Sequence, residues 1–159
     1  MPYDVQLGRN VQSCPLAVVR RRVSPGQLAK VVPECCGIVW NAIRLLNVKG
    51  VGRHVALHLD DQINLEVGVE LDAPFVGSGE VIGSSLPAGE FATAVHFGPY
   101  SELHFAHQAI RDFCASQGCA VAGPNWEIYG HWDDAWNSDP SKIRTDVFYL
   151  LAARRKTTG

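Results

Sequence analysis

The chain has 159 residues, 47% of them hydrophobic, and its sixteen acidic and fourteen basic residues give a formal charge of -2. That length supports one sizeable core rather than two domains, and the near-neutral balance supplies no general attraction to nucleic acid or to an anionic membrane. The opening residues lack a basic, apolar leader, and nowhere is there an apolar run long enough to span a bilayer, so a cytoplasmic protein is expected.

Taken in chain order, residues 16–23 read as an apolar and basic strand. The run Arg20-Arg21-Arg22 alternates between its faces, which suits partners for acidic residues better than a basic patch. Ser24-Pro25-Gly26 is a turn, and a helical segment then runs to about Asn47. Pro33 cannot donate a backbone hydrogen bond, so the main helix either starts there or is kinked there; the preferred reading is a short turn over residues 27–32 followed by the helix. Cys36, Val39, Ile43 and Leu46 form its apolar stripe. Two strands follow, 53–59 and 63–71, with Asp60-Asp61-Gln62 as a hairpin. Glu66 and Glu70 alternate with apolar residues, a pattern that normally means solvent exposure.

Residues 73–83 read as a connector. Its Gly77-Ser78-Gly79 leads toward a strand, so it is no phosphate loop, which needs a following helix. The strand 90–97 comes next, then the Gly98-Pro99 turn, and a helix over 101–117 with Ser101 as its N-cap. Leu103, Ala106, Ala109 or Ile110, and Phe113 make its apolar stripe, while His104 and His107 read as surface residues. Gly123-Pro124 forms a turn before the strand 126–131, and 143–151 is the last strand.

The chain therefore reads as two halves, residues 14–72 and 84–153, each ordered strand, helix, strand, strand. The expected fold class is α+β: two βαββ repeats related by a pseudo-twofold, forming one antiparallel sheet with both helices packed together on one face.

The chemistry centres on Glu127. Alternation along its strand places Glu127, Tyr129 and His131 on one face and Trp126 and Ile128 on the other. A carboxylate on a covered face needs a partner, a proton or a cationic ligand. Tyr129, Trp40 and Tyr149 offer aromatic walls, and such faces attract a cation by about 0.5–2 kcal/mol each. His58 offers a hydrogen-bonding partner, and Trp126 completes the candidate binding set. Tyr100 is expected to anchor the helix start rather than touch ligand. The five cysteines are odd in number and lack a paired CxxC spacing, and neither histidine pair has a third ligand, so no metal, disulfide framework or cofactor is expected.

The ordered set Gly68-Val69-Glu70-Leu71-Asp72, Gly77-Ser78-Gly79-Glu80-Val81, Ser85 to Ala92, Gly98-Pro99-Tyr100-Ser101-Glu102-Leu103, Trp126-Glu127-Ile128-Tyr129 and Arg144 to Leu150 resembles the GyrI-like small-molecule-binding family. That family includes effector domains of AraC-type and MerR-type multidrug-responsive regulators. The resemblance covers the chain from about Leu16 onward. It implies the same fold, and a pocket carboxylate at the position of Glu127.

Three functional readings follow. The first is a stand-alone binding protein for amphipathic, cationic or aromatic small molecules, acting by sensing or sequestration. With no room for a helix-turn-helix before Leu16, such a protein would not read DNA itself and would pass its signal to an unknown protein partner. The second, also suggested by the resemblance, is a small-molecule hydrolase with Glu127 and Tyr129 as acid and base. The third, contact inhibition of a topoisomerase, has no residue-level support.

Overall fold

The computed structural model describes residues 3–10, 12–60, 64–131 and 133–152. Eight strands form one antiparallel sheet: β1 (Gln6–Asn10), β2 (Cys14–Arg22), β3 (Val51–His58), β4 (Asn64–Leu71), β5 (Val81–Leu86), β6 (Gly89–Phe97), β7 (Val121–Tyr129) and β8 (Arg144–Leu151). Helix α1 (Leu28–Leu45) joins β2 to β3, α2 (Leu103–Gln117) joins β6 to β7, and the short α3 (Ala135–Ser138) precedes β8.

The strands lie in the order β1-β6-β8-β7-β3-β4-β2-β5, which reads the same from both ends once the repeats are matched. β2-α1-β3-β4 and β6-α2-β7-β8 are the two expected repeats, meeting at the β3–β7 pair. Ala56 stands opposite Glu127 there. Matching those two residues also superposes the flanking ladders, since Ala56 pairs with Val67 on β4 and Glu127 with Val147 on β8. The pseudo-twofold therefore passes through the Ala56–Glu127 pair.

The repeat is longer than the sequence indicates. Each half gains a leading strand, β1 or β5, and each of these pairs with the other half: Leu7 lies opposite Ala92 on β6, and Gly83 opposite Ala17 on β2. Only Pro87 and Ala88 separate β5 from β6. In a flat sheet the strand order would hold these two about 29 Å apart, whereas a link of that length reaches about 10 Å. The sheet must therefore curl. Its concave side is the face without α1 and α2, where Leu86 of β5 and Phe91 of β6 join Leu16, Val18, Leu57 and Trp126 in one buried cluster.

The convex side carries the two long helices. α1 buries Cys35, Val39 and Ile43 over β2 and β4, and α2 buries Leu103, Ala106, Ile110 and Cys114 over β6 and β8. The helices are thus not packed together as expected; each sits over its own half, and the convex faces of β3 and β7 lie between them.

Local differences have local causes. α1 starts at Leu28 and runs through Pro33 rather than beginning there. Its buried stripe uses Cys35 where Cys36 was expected, and Leu46 lies beyond its end, half exposed. Gly123-Pro124 lies inside β7, where the ladder to β8 breaks register between Val121 and Asn125; such an irregularity tolerates the missing proline donor. His131 falls after the strand. Ser101 makes no cap, because a 3-10 turn over Tyr100–Glu102 starts the helix instead. Asp61 and Gln62 of the expected hairpin lie outside the described residues.

Glu66 is not solvated: its side chain is 1% exposed on the concave face, accepting from Arg20 and from the Ser84 hydroxyl. Glu70 pairs with Arg53. The tight curl also fixes Gly68, where a Cβ would lie 1.7 Å from the carbonyl oxygen of Ala17. Gly68→Ala is expected to cost about 1–3 kcal/mol, measured by urea unfolding, and an unchanged midpoint would show that β2 yields freely.

Candidate functional site

The floor between the two helices is built from small and polar residues. On the convex face β3 presents His54, Ala56 and His58, and β7 presents Asn125, Glu127 and Tyr129. Ala56 and Val147 flank Glu127 in the ladder, so room is left above the carboxylate for a side chain from a helix.

That side chain is His107. Its ring Nε2 lies 2.7 Å from Glu127 Oε2, and its Nδ1 lies 2.7 Å from the Tyr149 hydroxyl. Tyr129 donates its hydroxyl to Glu127 Oε1 at 2.6 Å. Both carboxylate oxygens and both ring nitrogens are thereby engaged. Glu127 is only 8% exposed. Burial pushes its carboxyl upward, but the hydrogen bond from His107 and the attraction to that ring when it carries charge, with help from Tyr129 and His58, prevail and hold it below the usual carboxylate range. Burial beside that charge drives the Tyr129 phenol well above its ordinary value, so it remains a donor.

His58 lies near enough to feel both Glu127 and His107, and burial moves it below the usual histidine range. The edge of the Tyr100 ring meets the Tyr129 ring, with centroids 5.6 Å apart, so Tyr100 borders the array as well as standing at the helix start. Cys36 of α1 lies close to both tyrosines, and burial pushes its thiol up to about 11. Trp40 is one helical turn beyond Cys36 on the same side of α1 and 44% exposed. Arg111, one turn beyond His107, holds its guanidinium 5.7 Å over the Tyr149 ring.

Of the expected set, Glu127, Tyr129 and Tyr149 are thus joined in one hydrogen-bonded array through His107, His58 adjoins it, and Trp40 is an exposed residue of α1. Trp126 does not belong. It is 1% exposed in the concave cluster and stacks on Phe148 at 5.4 Å, on the opposite face from Glu127, as strand alternation requires.

His107, expected at the surface, is instead central, with a side chain 14% exposed. The signal was its position, four residues after Leu103 and three before Ile110, which sets it on the edge of the buried stripe. The side chains of Tyr129 and His107 themselves occupy the floor. A surface hollow of about 550 Å³ lies elsewhere, between residues 3–5 and the far flank of α2. Among the described residues no group of three histidine, cysteine or acidic side chains is placed to hold a metal, and no helix is long and apolar enough to cross a membrane.

The family model of the GyrI-like small molecule binding domain matches residues 9–151. The chain belongs to this family. Among solved structures, the GyrI-like chain is similar to the EcmrR C-terminal domain, with a TM-score of 0.76 at 19% identity over 97% of this chain and 100% of that one. It is also similar to a hydrolase from Listeria innocua, with a TM-score of 0.63 at 15% identity over 96% of this chain and 94% of that one. A third likeness is to SAV2435 bound to tetraphenylphosphonium, with a TM-score of 0.61 at 14% identity over 96% and 95% of the two chains. At these identities the likenesses establish the fold. None of the curated proteins matches the GyrI-like chain by sequence.

Proposed function

We propose that the chain works as a single effector-binding domain that holds a lipophilic, aromatic cation in the cleft between α1 and α2. The observation that carries this reading is Glu127 at the cleft floor, nearly buried yet held in its charged form. Little water screens such a charge, so its pull on a cation is stronger than at a surface. Tyr129, Tyr100, Trp40 and Tyr149 supply aromatic faces and edges, and the binding of tetraphenylphosphonium by SAV2435, which shares the fold, supports the ligand class. The role is sensing or sequestration of drug-like molecules. The five free cysteines favour a reducing, cytoplasmic setting.

The hydrolase alternative asks Glu127 either to activate water or to protonate a leaving oxygen, and the second role needs a raised carboxyl. Its environment moves it the other way, which disfavours the acid role. Calorimetric titration with tetraphenylphosphonium and with neutral triphenylphosphine oxide tests the binding reading. The cation is expected to bind at least tenfold more tightly, and equal affinities would leave shape alone as the determinant.

A further inference from the structure

We infer that His107 decides which ligand charge the cleft accepts, because a cation held over Glu127 exchanges with the proton that His107 carries. This rests on the binding reading above and adds to it a proton that leaves when ligand arrives.

The argument begins with what each nitrogen faces. Ionised Glu127 can only accept, so Nε2 of His107 carries a hydrogen in either charge state. Nδ1 faces the Tyr149 hydroxyl. A hydroxyl donates to a neutral ring and accepts from a charged one by rotating its hydrogen, so the bond between Nδ1 and the hydroxyl is kept in either state. A carboxylate or backbone carbonyl at Nδ1 would instead favour a hydrogen there. The Glu127–His107 pair can therefore carry a net charge of -1 or 0 with the same partners. With the ring charged, the carboxylate already has its cation. With the ring neutral, the carboxylate charge is left uncompensated and can pair with a ligand cation.

The other groups around His107 do not duplicate this role. Glu127 and Tyr129 face it from β7, Tyr149 from β8 and His58 from β3. Cys36 and Tyr100 stand beside Tyr129, while Arg111 and His104 lie one turn to either side on α2, with His104 Nδ1 turned to its own helix start at the Ser101 carbonyl. Of these types only histidine ordinarily changes charge between about pH 5 and 8. Burial makes His58 take a proton less readily than an ordinary histidine, and His104 is exposed and directed away. The exchange balances simply: protein with His107 as imidazolium plus ligand cation gives the complex with neutral His107 plus one proton in solvent.

The test is calorimetric titration of the full chain with tetraphenylphosphonium, in buffers of differing ionisation heat, from about pH 5.5 to 8. Proton release per cation is expected to approach one at the acid end and vanish at the alkaline end, with affinity rising about tenfold per pH unit on the acid limb. Triphenylphosphine oxide should release none. His107→Gln keeps an N–H for Glu127 but cannot titrate, so its cation affinity should lose this pH dependence, whereas His58→Gln should keep it. Should the His107 variant fail to fold, nitrogen NMR of the wild-type ring at about pH 6 replaces it. There the cation should shift His107 toward the neutral form, and an unchanged ring overturns the inference. Proton release persisting in a folded His107→Gln, or tight binding indifferent to pH, overturns it while leaving the binding reading intact. Failure of the cation to bind anywhere in that range overturns both.

Discussion

Replacing Glu127 by Gln is expected to weaken tetraphenylphosphonium binding roughly ten- to a hundred-fold while leaving triphenylphosphine oxide within about twofold, a loss of about 1.5–3 kcal/mol for the cation alone. The magnitudes decide the comparison. A charge pair about 5 Å apart at an effective dielectric near 20 is worth about 3 kcal/mol before any offset from His107. Each aromatic contact contributes about 0.5–2 kcal/mol and survives the substitution. The variant keeps the side-chain volume and an oxygen for the Tyr129 hydroxyl, so its thermal midpoint serves as the control. Equal losses for both probes, measured by calorimetry at pH 8, would show that Glu127 positions Tyr129 and His107 rather than attracting charge.

Trp126→Ala is expected to be the most damaging single change to stability, at about 3–5 kcal/mol. Whole domains are stable by only about 5–15 kcal/mol, and at this chain length each kcal/mol moves the thermal midpoint by about 2–4 °C, so a fall of roughly 10 °C is expected. The indole is fully buried in the concave cluster, stacked on Phe148 and packed with residues from both ends of the curled sheet. The folded fraction should still bind cation with wild-type affinity. Weakened binding with an unchanged midpoint would return Trp126 to the ligand site.

The repeats were legible because they are local: three- and four-residue spacing marks each helix, alternation marks each central strand, and short turns join them. β1 and β5 were not. The connector reading runs through Val81 to Gly83, and β5 becomes a strand only by pairing with β2, far away in sequence. The same distinction divides the site. Alternation alone put Glu127 with Tyr129 and opposed them to Trp126, so including Trp126 with the ligand contacts ran against the chain's own pattern. His107 gave only a weak signal, since its role depends on a strand residue twenty positions on. The burial of Glu66 likewise depends on curl, which draws Ser84 of β5 over a face that alternation had assigned to solvent.

The exchange of β1 and β5 between the halves bears on how the chain reaches its native state. During synthesis β1 has no partner until β6 has emerged, and one edge of β3 waits for β7. Pairings so distant in sequence carry a large loop-closure cost and slow the search. Neither half completes its own sheet, so a stable half-folded species is not expected, and amide exchange in β2 and in β8 should report one common global opening rather than two.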